Sequence, residues 1–173
     1  GPIISTEADK FQIQNLKNQI KSKSQKSTSK FFFPRPMLNS DDFNFSFSGL
    51  KTSVLYTIKK LEISEVSQNI LEICYEFQQA VIDVLIAKTM KAAKKFGAKT
   101  VFMAGGVAAN KKLRQDLEIA VKNKELEFFV PEFQYCTDNA GMIGIAAYYL
   151  AKEKMPDLDN WQNIKADPNW ELE

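Results

Sequence analysis

Two adjacent glycines, Gly105 and Gly106, stop an apolar run (Val101, Phe102, Met103, Ala104) and hand the chain to a helical pattern that opens at Lys111. A strand that ends in a tight glycine turn and continues as a helix is one arm of an α/β unit. The pattern repeats downstream. A second strand over 127–130 ends at Pro131, and after an irregular stretch over 133–137 a helix rich in alanine and glycine runs from about 139 to 152. Strand–helix–strand–helix order predicts a right-handed crossover and a parallel sheet covered by helices. Such sheets take ligands at the carboxyl ends of their strands, the edge to which both the Gly105-Gly106 turn and the Cys136-Thr137-Asp138-Asn139 turn are assigned. Glycine leaves room for a ligand to approach the backbone, and a helix start offers free N–H groups to an anion. Plain strand-to-helix connectors use glycine too, so the pair alone leaves nucleotide loop and connector equally open.

Upstream, the chain divides into unequal blocks. Residues 1–30 open with a short amphipathic pattern (Ile4, Phe11, Ile13, Leu16, Ile20) and continue as a polar, lysine-rich stretch over 21–30, read as a mobile linker or a phosphate-contacting arm. The main domain is assigned to 31–155, with a tail over 156–173. Phe31 to Phe33 need burial, while Pro34 and Pro36 forbid helix. Asp42 to Ser48 alternate aromatic and polar residues, the period of a half-buried strand ending at Gly49, and 50–61 reads as helix. Ser64 is the expected N-cap of a long helix over about 65–96, whose apolar stripe includes Ile70, Ile73, Cys74, Phe77, Val81, Val84 and Leu85, with Gly97 as its stop.

Composition removes several classes of function. The chain has no histidine, which takes away the commonest general base and transition-metal ligand. No Ser–His or Cys–His pair of the protease kind can then be built. The two cysteines, Cys74 and Cys136, sit far apart in dissimilar contexts, so neither a disulfide framework nor a zinc site is expected, and a reducing, cytoplasmic setting fits. No apolar run is long enough to span a bilayer. A net charge of +2 permits a nucleic-acid partner without demanding one. The chain begins Gly1-Pro2 with no initiator methionine, as a cut tag or a piece of a longer protein would.

Asp138 bears on the kind of site. Before an apolar helix its simplest role is an N-cap; its alternative is a carboxylate aimed into a ligand cleft, where it would hold a hard or borderline cation with help from elsewhere.

Four segments stand in register: Phe33-Pro34-Arg35-Pro36-Met37, Asp42-Phe43-Asn44-Phe45-Ser46-Phe47-Ser48-Gly49-Leu50-Lys51-Thr52, Ala104-Gly105-Gly106-Val107-Ala108-Ala109-Asn110-Lys111-Lys112-Leu113-Arg114, and Cys136-Thr137-Asp138-Asn139-Ala140-Gly141-Met142-Ile143. In this order and spacing, from about residue 31 to 150, they resemble the carboxyl-terminal half of the tRNA N6-adenosine threonylcarbamoyltransferases, formerly described as O-sialoglycoprotein endopeptidases. The opening Gly1-Pro2-Ile3-Ile4-Ser5 resembles that family's Gly-Gly-Pro segment.

The resemblance implies an α/β chain that is the helix-rich carboxyl-terminal part of an actin-like ATPase (ASKHA) fold, with a small, largely parallel sheet and a cleft between two domains. It implies transfer of threonylcarbamoyl from its adenylate, threonylcarbamoyl-AMP, to N6 of adenosine 37 in tRNAs reading codons that begin with A. By position, Asn110 would hold the adenylate through its amide, with Gly105 and Gly106 making room and Gly1 matching a glycine of the same site. Asp138 would match the carboxylate ligand of one divalent metal, iron or zinc, which polarises the transferred carbonyl. Lys51 and Arg35 face the anionic substrate or tRNA, or are plain surface charges. Implied partners are tRNA, a paralogous transferase-like protein, a small P-loop ATPase and the amino-terminal half of the same protein; no membrane is implied.

The family's paired metal-binding histidines and its amino-terminal phosphate loops are not in these residues. The chain alone is therefore expected to bind metal poorly and to transfer nothing. Two alternatives accompany this reading: a non-catalytic nucleotide-binding or assembly module of the same superfamily, and an actin-like carbohydrate kinase. The Phe-Pro-Arg-Pro and Ser-Phe-Ser-Gly-Leu-Lys segments argue against the kinase, whose general fold does not require them.

Overall fold

The computed structural model describes residues 2–21 and 29–153 and divides the chain into two units, Gly1–Cys136 and Thr137–Glu173. Gly1, most of the lysine-rich stretch (22–28) and the tail assigned to 156–173 lie outside the described residues. The first unit contains α1 (Pro2–Lys21), α2 (Ser48–Lys60), α3 (Ile63–Phe96), β1 (Thr100–Phe102), α4 (Lys111–Lys122) and β2 (Glu127–Phe129). The second contains α5 (Ala140–Glu153).

β1 and β2 pair in parallel, Val101 opposite Phe128, and Met103 N–H extends the ladder by donating to Phe129 O at 2.9 Å. The helix-rich α/β class with a small parallel sheet is thus observed.

At about 1.5 Å per residue, the 34-residue α3 is some 50 Å long. It is the spine because its apolar residues serve two cores. Ile82 and Ala93, with half-buried Leu85 and Met90, meet Val101, Met103, Ala108, Leu113, Leu117, Val121 and Cys136. Ile73 and Ala80, with half-buried Phe77 and Val81, meet Phe31, Phe33 and Leu50. Burying one such side chain stabilises by roughly 1.5–3 kcal/mol, so α3 fastens the β1–α4–β2 unit and the aromatic amino-terminal block together. Gly97 ends it as expected, at φ 61°, a left-handed conformation that glycine adopts without strain. Its start differs from expectation. Glu62, not Ser64, is the N-cap, and its N–H donates to Glu65 Oε2 at 3.1 Å.

The alternating stretch 42–48 is not a strand. Residues 43–47 are irregular and α2 begins at Ser48, with Gly49 inside its first turn. Lys88 of α3 replaces the missing ladder. Its side chain is 1% exposed, and Nζ donates to Ser40 Oγ (2.6 Å), Asn44 O (2.7 Å), Asp42 Oδ1 (3.1 Å) and Asp42 O (3.3 Å). The alternation instead aims Phe43 at Phe96 of α3 and Phe47 into the aromatic core.

The Lys88 ammonium, then the Ser40 hydroxyl, hold the Asp42 carboxyl below its ordinary 3.8. A depressed carboxyl contributes stability above its unfolded pKa and loses it as pH falls through the folded one. Below pH 4 the urea midpoint is expected to drop faster for the wild type than for Asp42→Asn; parallel curves would refute the pairing.

Candidate functional site

The site forms where β1 ends. Gly105 takes φ 84° and ψ 174°, a region essentially confined to glycine. A single 3-10 turn over Gly106–Ala109 follows, closed by Ala108 N–H to Gly105 O (2.9 Å) and Asn110 N–H to Val107 O (3.0 Å). Gly105 is thus required by the backbone. Gly106 is not: its φ is ordinary, and a Cβ built there would meet nothing among the described residues within 4 Å. Internal packing does not explain the second glycine; open space over the turn does.

Asn110 caps α4, its Oδ1 accepting from Leu113 N–H at 2.9 Å. Because Oδ1 must face that donor, Nδ2 faces α3, where it donates to Gln78 Oε1 at 2.8 Å. Among the described residues one Nδ2 hydrogen and one Oδ1 lone pair are without a partner, and a ligand could take them. Gln78 is 6% exposed and went unremarked in the sequence, although a signal was there: a polar residue in helical phase with buried Cys74 and Ile82. The first turn of α4 carries no acid and begins Lys111-Lys112. Acids are the usual complement of a helix amino terminus; lysines leave its positive end uncompensated and suited to an anion.

Arg114 is the second residue that the sequence left without a role. Its guanidinium donates to Ala108 O, to Pro131 O (2.9 Å) and to Cys136 Sγ (2.8 Å), and lies 4.1 Å from the centroid of the Phe133 ring. It therefore ties the glycine turn to the loop after β2. Cys136 is buried and free, as is Cys74, whose thiol burial pushes above its ordinary pKa.

The other sequence-selected residues behave differently. Arg35 faces inward: it pairs with Asp83 at 2.9 Å, donates to Phe33 O at 2.7 Å and stacks on Phe32. Lys51 lines an apolar cavity of about 650 Å³ with Ile4, Phe47 and Phe77. Asp138 belongs to the second unit. The cap of α5 is not Asp138 but Asn139, whose Oδ1 accepts from Met142 N–H at 2.9 Å, so the Asp138 carboxylate is exposed and uncommitted to the helix. Among the described residues no three His, Cys, Asp or Glu side chains gather as a metal site, and no helix is long and apolar enough to cross a membrane.

Comparison with known proteins places the chain in a family. Residues 3–145 match the family profile described as tRNA N6-adenosine threonylcarbamoyltransferase. Curated relatives of that name include those of Thermosipho africanus (42% identical over 143 residues, 83% of this chain and 42% of the relative), Thermosipho melanesiensis (49% over 143, 82% and 41%) and Francisella philomiragia (46% over 137, 79% and 40%). The chain spans about two fifths of the length of these relatives.

Proposed function

We propose, because this chain belongs to the tRNA N6-adenosine threonylcarbamoyltransferase family, that it forms the carboxyl-terminal half of such a transferase and supplies half of its adenylate pocket. The reaction is transfer of threonylcarbamoyl from threonylcarbamoyl-AMP to N6 of adenosine 37 in tRNAs reading codons that begin with A. The N6 amine attacks the carbamoyl carbon, a C–N bond forms, the bond to the AMP phosphate oxygen breaks and the amine gives up a proton. The observation that carries the reading is the open Gly105–Asn110 turn: a glycine whose missing Cβ faces empty space, beside an amide with spare hydrogen-bonding capacity and an uncompensated helix amino terminus. Gly105 and Gly106 would admit the adenylate, Asn110 would hold it, and Gly1 would join them.

The remainder of the proposal extends beyond these residues. An actin-like two-domain fold would place the pocket in a cleft in the cytoplasm, with tRNA, a paralogous partner and a small P-loop ATPase as associates. Asp138 would give one carboxylate to an iron or zinc ion, but a chain without histidine and without a ligand cluster among its described residues does not hold that ion unaided. On this reading the 173 residues alone transfer nothing and take up zinc weakly; tight stoichiometric zinc binding would overturn it.

Gly106→Val in the intact protein tests the pocket. With nothing among the described residues within 4 Å of a Cβ built there, stability should shift by no more than about 0.5 kcal/mol. AMP affinity and threonylcarbamoyl transfer should fall by about a hundredfold or more as the bulk fills the ligand space. Undiminished transfer would remove the turn from the site.

A further inference from the structure

Between Asp83 and Asp116 the sequence has eight basic residues (Lys88, Lys91, Lys94, Lys95, Lys99, Lys111, Lys112, Arg114) and no acidic one. Lys88 is spent internally, and the last three surround the start of α4. The other four are exposed at the carboxyl-terminal end of α3 and just beyond it, and among the described residues none has a carboxylate within ion-pairing distance; Lys91 Nζ gives one hydrogen bond to Ser40 O (2.7 Å). Two aromatic rings lie among them. Phe96 is 70% exposed, with its centroid 5.4 Å from that of Phe43, tilted by 52°. Lys95 Nζ stands 5.1 Å from the Phe43 centroid and 5.8 Å from the Phe96 centroid, and Lys91 Nζ stands 5.9 Å from Phe43.

Helix ends favour basic residues because the macrodipole does. That accounts for Lys94 and Lys95. It does not account for Lys99, which lies beyond the helix, for like charges set four apart at Lys91 and Lys95, or for a phenylalanine left in water between them. Lysines interleaved with exposed rings are what single-stranded nucleic acid requires: ammonium groups for the phosphates and a flat apolar face for an unstacked base.

We propose that the Phe43–Phe96 pair with Lys91, Lys95 and Lys99 is a binding surface for RNA, taking the phosphate backbone and one unstacked base. The choice of RNA among polyanions rests on the function proposed above; the surface itself does not. α3 runs through Gly97 into the amino end of β1, whereas the Gly105 turn leaves the carboxyl end. The surface therefore lies at the opposite sheet edge from the turn and serves to hold RNA, not to act on it.

The test is fluorescence anisotropy of a labelled single-stranded RNA oligonucleotide on the intact protein, over a range of salt, without threonylcarbamoyl-AMP. Lys91→Ala/Lys95→Ala should weaken binding about tenfold and flatten the salt dependence by about 1.4, at roughly 0.7 per phosphate contact on a single strand. Phe96→Ala should weaken binding about tenfold while leaving the slope unchanged, as loss of a stacked base does; the exposed ring is expected to leave the fold intact, and an unchanged thermal melting curve checks this. Lys59→Ala/Lys60→Ala removes equal charge from the end of α2 and should change little. Equal losses in that control, no loss in the first two variants, or loss of binding to anionic lipid vesicles with RNA binding intact would each overturn the proposal. Because no transfer is measured, a protein that binds RNA here and transfers nothing sinks only the proposed activity, and one that transfers while its variants bind normally sinks only the surface.

Discussion

Lys88→Ala is expected to cost about 3 kcal/mol of stability, most of it from part-buried hydrogen-bond acceptors left without a donor and from the vacated side-chain volume. For a chain of this size that is roughly 6–12 °C in Tm. The side chain is 1% exposed and its ammonium contacts four oxygens of the 40–44 segment. Asp42 is itself largely solvated, so the cost falls on the Asp42 and Asn44 carbonyls and the Ser40 hydroxyl, not on the ion pair. Lys88→Met separates the contributions. It keeps the buried stem and removes the charge, and should recover the packing share of the loss while leaving the 40–47 segment open to protease. A Met variant as stable and as protease-resistant as the wild type would show that the ammonium contributes nothing.

The same lysine explains why one part of the fold was legible in the sequence and another was not. β1, α4 and β2 are short elements whose periodicity, glycine and cap residues all lie within a few positions, so local chemistry determines them. The 42–48 stretch has an equally clear period, but a strand needs a partner backbone, and period says nothing about whether one exists. What holds Asp42 and Asn44 comes from a lysine more than forty residues away. At Thr137-Asp138-Asn139 three residues of similar capping ability compete, and only the geometry selects Asn139. Gln78 was within reach of a stricter reading, since a polar residue in phase with a buried stripe needs a partner. Arg114 was not: three of its contacts, Ala108, Pro131 and Cys136, come from segments whose approach only the folded crossover creates.

Asn110 carries an expected effect on activity as large as that of Gly106, and its two roles can be separated. Asn110→Ala removes the cap of α4, about 1 kcal/mol, and strands the buried Gln78 oxygen, about 1–2 kcal/mol more. Loss of transfer in that variant would therefore be uninformative. Asn110→Asp is the sharper change. Aspartate caps as well as asparagine, its charge is favoured at a helix start that lacks acids, and Gln78 need only turn its amide to donate where it now accepts. Stability should stay within about 1 kcal/mol of the wild type. The ligand side is altered completely: the spare Nδ2 donor becomes an acceptor, and a negative charge stands where the adenylate phosphate would approach. AMP affinity and threonylcarbamoyl transfer should then fall by about a hundredfold or more, against a melting curve that scarcely moves. If Asn110→Asp transfers normally, Asn110 is a helix cap braced by Gln78 and nothing more, and the adenylate must be held by other groups.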